Sequence, residues 1–435
     1  MEYINITYKA YKAYKDNIKI FICKYLQGLQ GSDLSLAQGS DFIIYKYSRD
    51  MRKSQEVKTE IVEFDDKKYL VDEETGEMLE ILSDKSSTGK ERPWAKHKKE
   101  NMTVEQAYRG IAERSNSGSA YWVKKADRLN GCGQFLTFNV YQTEEGRTMK
   151  VKQAESCRVR LCPVCSWRRS IKIHTHMRKI LEHMQGEHKY EYLLVTFTVP
   201  NVTADKLNDK IDELMTAWNR LQTYKQYKNA VKGWYRGLEI THNVQKWQGK
   251  WAKTKNGKKR FVMYFDENGN KIPNPSYDTY HPHFHCIMAV RKSYFDSRDY
   301  IKRDEWLAMW QKAMKDPTIT QVDVRKVKPK KGSDPTDIIG AVCEVTKYTV
   351  KNEDYILPKN WNMTMDSVEV LDKVLTNRRL VAFGGVMKEW HKKLNLDDEI
   401  DGNLIEDGET SNGEIIGEVC AFWNVGYQQY IIVED

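Results

Sequence analysis

The sequence predicts an α+β chain with a separate cysteine-held region. Three observations carry this. Short apolar, β-rich runs recur between turn signals, segments with three- and four-residue apolar spacing lie between them, and four cysteines stand in a knuckle-like cluster.

The elements follow in order along the chain. Residues 1–85 are mixed and without a clear motif, and Ser83–Gly89 reads as a linker. Lys90–Asn101 (KERPWAKHKKEN) is basic with one Trp; it suits a helix entry, with an arm on phosphates as the alternative. Met102–Arg114 fits a helix, and Gly131–Val140 a turn and a strand. Trp167–Met184 resumes helical spacing through Ile171, Met177, Ile180 and Leu181. Tyr192–Pro200 (YLLVTFTVP) is an apolar run ending in Pro, hence a buried strand. Ala204–Lys225 places Leu207, Ile211, Leu214, Trp218 and Leu221 on one helical face. Trp234–His242 and His283–Val290 read as further strands, and the segment between them holds a hairpin turn at Asp266–Asn270 (DENGN). Arg303–Met314 is helical, Gln321–Val327 alternates as a strand, and Ile338–Val350 fits a helix.

Length and charge narrow the function. The 435 residues exceed one typical domain, and 40% hydrophobic content suffices for a core. No run approaches the roughly 18 apolar residues of a membrane span. Ile18–Leu26 is short, is interrupted by Lys19 and Lys24, and lacks a cleavage site, so no leader is expected and the cytoplasm is the expected location. Leu394–Asp435 holds eleven acids and no Lys or Arg. The net +9 of the chain therefore divides into −11 there and +20 in residues 1–393. A body that basic favours a polyanion, with nucleic acid first.

The chemistry sits in three constellations. The first is Cys132 with Cys157, Cys162 and Cys165, the last three as C-x4-C-x2-C. Where thiols stay reduced, four thiolates suit a closed tetrahedral Zn²⁺ site. Arg158, Arg160, Arg168 and Arg169 surround these loops as candidate DNA contacts. Cys23, Cys286, Cys343 and Cys420 lie in apolar runs and read as core.

The second is YHPHFHCIM. On a strand, His283 and His285 share one face while Phe284 packs on the other. His281 joins that face only if the strand starts before Pro282. His174 and His176 repeat the pattern on a helix, where such residues diverge; they read as surface or DNA-facing. Glu239, an acid inside an apolar strand, needs a partner and is the leading third ligand; His242 and Asp278 are lesser candidates. Pairing with Arg236 is the alternative for Glu239.

The third is CEVTKYTVK. Glu344 and Tyr348 are i and i+4 on a helix, as are Lys347 and Lys351. A phenol beside ammonium groups ionises more easily and can attack phosphorus, and a carboxylate can act as base. An ordinary amphipathic helix explains the same residues.

Taken together, these motifs resemble those of rolling-circle plasmid replication initiators (Rep) of the HUH endonuclease superfamily, in the branch with one catalytic Tyr and an accompanying Glu. The resemblance runs from about Lys90 to Leu396. It is carried by RPW at Arg92, CRVRLCPVC, LLVTFTVPN, RGLEITHN, HPHFHCI, EVTKYTVK and FGG at Phe383–Gly385. It implies an antiparallel sheet with the histidine strand central, helices packed on it, and the Tyr helix against the metal site. It implies Mg²⁺ or Mn²⁺ on His283, His285 and Glu239. Tyr348 would then nick one strand of a plasmid double-strand origin, giving a 5′-phosphotyrosine and a free 3′-OH. Glu344 would terminate by activating water, with Lys347 and Lys351 assisting and Tyr355 a remote second nucleophile. Host helicase and polymerase are the implied partners. An HUH transposase or mobilisation relaxase, or a zinc-dependent DNA-binding regulator without chemistry, are the alternatives. The implied domains are an extension (1–89), a zinc-binding four-cysteine region with a basic helix (90–185), a nicking domain (186–395) and an acidic tail (396–435).

Overall fold

A computed structural model describes residues 59–64, 67–73, 76–86, 89–115, 119–144, 146–187, 190–254, 256–257, 259–329, 338–345, 351–397, 402–405 and 413–434. In chain order the elements are β1 (Thr59–Phe64), β2 (Lys67–Asp72), β3 (Met78–Ile81), α1 (Trp94–Arg114), α2 (Ser119–Gly131), β4 (Phe135–Thr143), β5 (Gly146–Ala154) and α3 (Pro163–Glu187). Then come β6 (Tyr190–Phe197), α4 (Ala204–Leu221), α5 (Lys225–Ala230), β7 (Val231–Asn243), β8 (Gly249–Lys253), β9 (Lys259–Met263) and β10 (Thr279–Arg291). The chain continues through α6 (Arg303–Met314), β11 (Val322–Lys326), α7 (Ile338–Val345), α8 (Trp361–Leu375), β12 (Val381–Gly385), α9 (Val386–Lys393), β13 (Glu414–Asn424) and β14 (Gln429–Glu434). No helix among the described residues is long and apolar enough to cross a membrane.

The chain forms two units, residues 1–99, 131–156 and 409–435, and residues 100–130 and 157–408. The first unit holds a seven-stranded antiparallel sheet in the order β1-β2-β3-β14-β13-β4-β5. Alternation places Leu136, Phe138 and Val140 of β4 inside, and Leu70, Ile81 and Ile431 form a small core at β2, β3 and β14. Asp84 is buried here, taking hydrogen bonds from the Arg92 guanidinium (2.8 Å) and the Trp94 indole (2.8 Å). The acidic C-terminal segment, read from sequence as a tail, supplies β13 and β14. The charge count had hidden the alternating EVCAFWN and QYIIVE runs.

The second unit is built on a five-stranded antiparallel sheet in the order β11-β6-β10-β7-β12. β10 is central, as expected, and it begins at Thr279, before Pro282. Pro282 is tolerated because β10 pairs only with β7 there; pairing with β6 begins at Phe284↔Phe197. On one face, α4 and α6 cover Phe284: its ring lies 5.8 Å from Trp218 and 6.4 Å from Trp310. The five apolar positions expected of α4 are all buried. On the other face, Tyr235 and Phe383 (5.6 Å) and then Phe383 and His391 of α9 (5.0 Å) continue the packing. Of the cysteines expected in the core, Cys286 and Cys343 are buried and Cys420 is half-buried; Cys23 lies outside the described residues.

The FGG motif ends β12 where two backbones nearly touch. A Cβ on Gly384 would meet the Trp234 indole at 2.0 Å. Gly385 stands at φ 54°, where a Cβ would lie 2.2 Å from the Lys232 carbonyl oxygen.

Candidate metal centre

Strand register builds the site. His283 sits directly opposite Glu239 on β7, and His285 directly opposite Thr196 on β6. Since i and i+2 share a face, His283, His285 and Glu239 converge on one point, and their ligand atoms all lie within 4.8 Å of one another. The two Nε2 atoms are 3.2 Å apart, and His285 Nε2 is 3.1 Å from Glu239 Oε2. His283 Nδ1 lies 3.0 Å from the His281 carbonyl oxygen, which only accepts. Nδ1 therefore carries the proton, and the Nε2 lone pair faces His285 Nε2 and the centre of the cluster. The Thr196 hydroxyl holds His285 Nδ1 at 3.1 Å.

Burial pushes the His283 pKa down to about 4, so the imidazole stays neutral and ligand-ready. Burial alone would raise the Glu239 pKa. Hydrogen bonds from His285 and Lys351 outweigh it and hold that pKa at about 2, so the carboxylate is charged. His285 is 35% exposed, which leaves the group open to a ligand from solvent. Two imidazoles and a carboxylate fit a divalent cation with open positions.

Lys351 reaches this centre. Its Nζ lies 2.8 Å from Glu239 Oε1, from an extended residue just before the short 3₁₀ turn Asn352–Asp354. Arg236 does not pair with Glu239. It points to the other face, where its guanidinium lies 4.8 Å from the Phe284 ring centre. His242 and Asp278 pair with each other (2.9 Å), and Ser367 Oγ lies 3.0 Å from His242 Nδ1; both are thereby removed from the ligand set.

Glu344 falls within α7, its side chain outside the described residues, and Lys347 and Tyr348 lie outside them altogether. Tyr355 is buried, its hydroxyl 2.9 Å from both the Leu161 carbonyl and the Asn352 side-chain oxygen. A phenol so enclosed is a packing residue, so it falls out as a second nucleophile.

The sulfurs of Cys157, Cys162 and Cys165 also lie within 4.8 Å of one another. Cys157 Sγ and Cys165 Sγ are 3.7 Å apart. Tetrahedral thiolates around a metal at about 2.3 Å would stand about 3.8 Å apart, so the set fits. Asn101 Nδ2 donates to Cys162 Sγ (3.2 Å).

The arginine reading needs correction. Arg168 and Arg169 are buried at 3% and 0% exposure. Arg168 donates to the Leu404 carbonyl (2.8 Å), and Arg169 to the Arg158 carbonyl (3.0 Å). Guanidiniums occupied in this way brace the chain and are not presented to phosphates. Arg160 is half-buried and donates to the Arg378 carbonyl (2.7 Å); of the four, Arg158 is exposed. His176 is likewise buried, 3.4 Å from Asp397 and beside His391, where a surface residue had been expected.

Sequence reasoning missed Thr196, Asn101 and Asp354. Thr196 is a lone hydroxyl in an apolar strand, a signal that register alone makes legible. Asn101 carried no signal. Asp354 is buried, and burial pushes its carboxyl pKa up to about 6 against the opposing charge of Lys351.

Known proteins resemble this chain over most of its length. A family model described as "Replication protein" matches residues 148–431. A protein named "Protein rep" from Bacillus amyloliquefaciens is 36% identical over 367 residues, covering 81% of this chain and 97% of its own. "Protein rep" from Lactiplantibacillus plantarum is 30% identical, covering 82% and 100%. "Protein rep" from Streptococcus pneumoniae serotype 2 is 28% identical, covering 81% and 95%. No solved structure matches.

Proposed function

Because this chain belongs to the replication-protein (Rep) family, we propose that it initiates rolling-circle plasmid replication by nicking one strand of the double-strand origin. The observation that carries the proposal is the convergence of His283, His285 and Glu239 on one solvent-open face of a central strand. Family membership favours replication over transposition or mobilisation, and the ligand-ready cluster favours chemistry over a purely regulatory role.

His283, His285 and Glu239 would hold Mg²⁺ or Mn²⁺. When bound, that ion supplies Lewis-acid polarisation of the scissile phosphate. The Tyr348 phenolate attacks phosphorus in line. The P–O3′ bond breaks, the O3′ takes a proton, and the 5′ end stays on the tyrosine. Lys351, so placed, neutralises charge at this centre, with Lys347 beside Tyr348 in sequence. The phosphotyrosine keeps the bond energy, so strands rejoin without ATP. At termination Glu344 takes a proton from the water that hydrolyses the next phosphodiester. The free 3′-OH is a primer for a host polymerase, and a host helicase opens the duplex ahead.

The direct test is incubation with a labelled single-stranded origin oligonucleotide and Mn²⁺, followed by a denaturing gel. A shortened labelled fragment and a protein-linked species are expected; neither forming would refute nicking.

The ammonium of Lys351 occupies the same carboxylate that a divalent ion needs. Lys351→Met is therefore expected to tighten Mn²⁺ binding a few-fold in a calorimetric titration. Unchanged or weaker binding would show that the pair does not compete with the ion.

The four-cysteine group is proposed to hold a structural Zn²⁺, because four thiolates leave no open position for water. Cys162→Ser is expected to lose zinc by elemental analysis and to unfold at a lower temperature. Wild-type protein without zinc, together with a normally stable variant, would refute this.

A further inference from the structure

Between β7, which carries Glu239, and β10, which carries His283 and His285, the chain leaves the five-stranded sheet. It forms a separate two-stranded arm, β8–β9. Beyond β9 the chain turns back at Asp266–Asn270, where Asp266 N–H donates to Asn270 O (2.9 Å) and Asp266 Oδ1 accepts from the Asn268 and Asn270 amides, and it rejoins the sheet at Asp278, whose N–H donates to the Asn243 carbonyl (2.8 Å). Glu239 is four residues from the end of β7 and His283 four from the start of β10. The arm thus springs from the sheet about 13 Å along the strands from the metal centre.

The surface of the arm is unusual in two ways. Trp251 is 60% exposed, Phe265 55% and Tyr264 42%, where soluble chains normally cover large aromatics. Residues 244–278 also carry eight Lys or Arg against three acids. Register puts Trp251 opposite Phe261, whose ring holds the indole edge-on at 5.4 Å. Lys253 lies two residues from Trp251, hence on the same face about 7 Å along, while Lys250 and Arg260 line the other face.

We infer that this arm grips single-stranded DNA beside the nick, stacking an unpaired base on Trp251 while Lys253, on the same face, holds the backbone. The inference rests on the nicking reading for its substrate, and it assigns that substrate a second contact outside the metal centre. Cations select a polyanion. Exposed aromatic faces select unpaired bases, because bases in a duplex are already stacked. A protein partner fits less well, since lysine is depleted at protein interface cores.

The test uses the full-length chain, without Mn²⁺, and a fluorescein-labelled oligothymidylate alongside a mixed-sequence duplex, read by anisotropy. Trp251→Ala is expected to weaken oligothymidylate binding by about tenfold, the worth of one base stack, and to leave duplex affinity within about twofold. Trp251→Phe restores most of the loss. Both variants melt as wild type, because the side chain is exposed. An unchanged oligothymidylate affinity overturns the inference, as does an equal loss on the duplex. Loss of binding to anionic lipid vesicles without loss of DNA binding would assign the arm to a membrane surface instead. A chain that binds single strands through Trp251 yet never cuts with Mn²⁺ refutes nicking and leaves the arm standing. Normal cutting with binding indifferent to Trp251 does the reverse.

Discussion

Tyr348→Phe is expected to abolish the covalent protein–DNA adduct, with nicking reduced at least about a thousandfold, while folding and origin binding persist. Phe keeps the ring and removes only the oxygen that forms the bond. Glu344→Ala is expected to behave differently. On the proposed mechanism it still nicks and still forms the adduct, because its carboxylate would act later, on water. It fails in releasing the finished strand, so products longer than one plasmid unit accumulate. The division rests on the proposed roles, the phenol as nucleophile and the carboxylate four residues earlier in sequence as base. The measurement is a denaturing gel for the adduct and a product-length analysis in a replication extract. If neither substitution alters nicking, these residues take no part in the chemistry. An adduct surviving in Tyr348→Phe would move the nucleophile elsewhere, and the burial of Tyr355 disfavours it as the replacement.

His283→Ala is expected to lower cleavage by about a hundredfold or more in either Mg²⁺ or Mn²⁺, while origin affinity stays within about twofold. On the proposed mechanism the imidazole would address one ion at one phosphate, whereas affinity would come from many cationic contacts spread over a basic chain. Chelation of the wild type should reproduce the cleavage defect, and Mn²⁺ should restore it in the wild type alone. Glu239→Gln tests the same centre from the other strand. The neutral amide keeps the shape but offers Lys351 and a divalent ion no charge, so Mn²⁺ affinity falls. Undiminished cleavage in His283→Ala would remove this strand from the chemistry, however well its side chains converge.

The histidine pair was legible because its signal is local. A strand has a period of two, so H-x-H in an apolar run places both rings on one face before any partner strand is known. Helical spacing was legible for the same reason, and α4 buries each position the pattern named. The hairpin turn at Asp266–Asn270 announced itself through Asp, Asn and Gly. The C-terminal strands were obscured because an acid count weighs every residue alike. Alternation within EVCAFWN and QYIIVE was the better guide.

By itself, then, the sequence determined the families of elements, the two ligand clusters by residue type, and membership in the replication-protein family through motifs spaced along the chain. Tertiary structure alone decided which neighbours meet. It selected Glu239 over His242 and Asp278, because antiparallel register sets Glu239 opposite His283 while the other two satisfy each other. It brought Lys351 onto Glu239, and it turned Arg168 and Arg169 inward to carbonyls rather than outward to phosphates. The physical reason is range. Periodicity and turn chemistry act within a few residues and are written in the sequence. Register, burial and the pairing of charges depend on segments tens to hundreds of residues apart, whose meeting only the packed fold specifies.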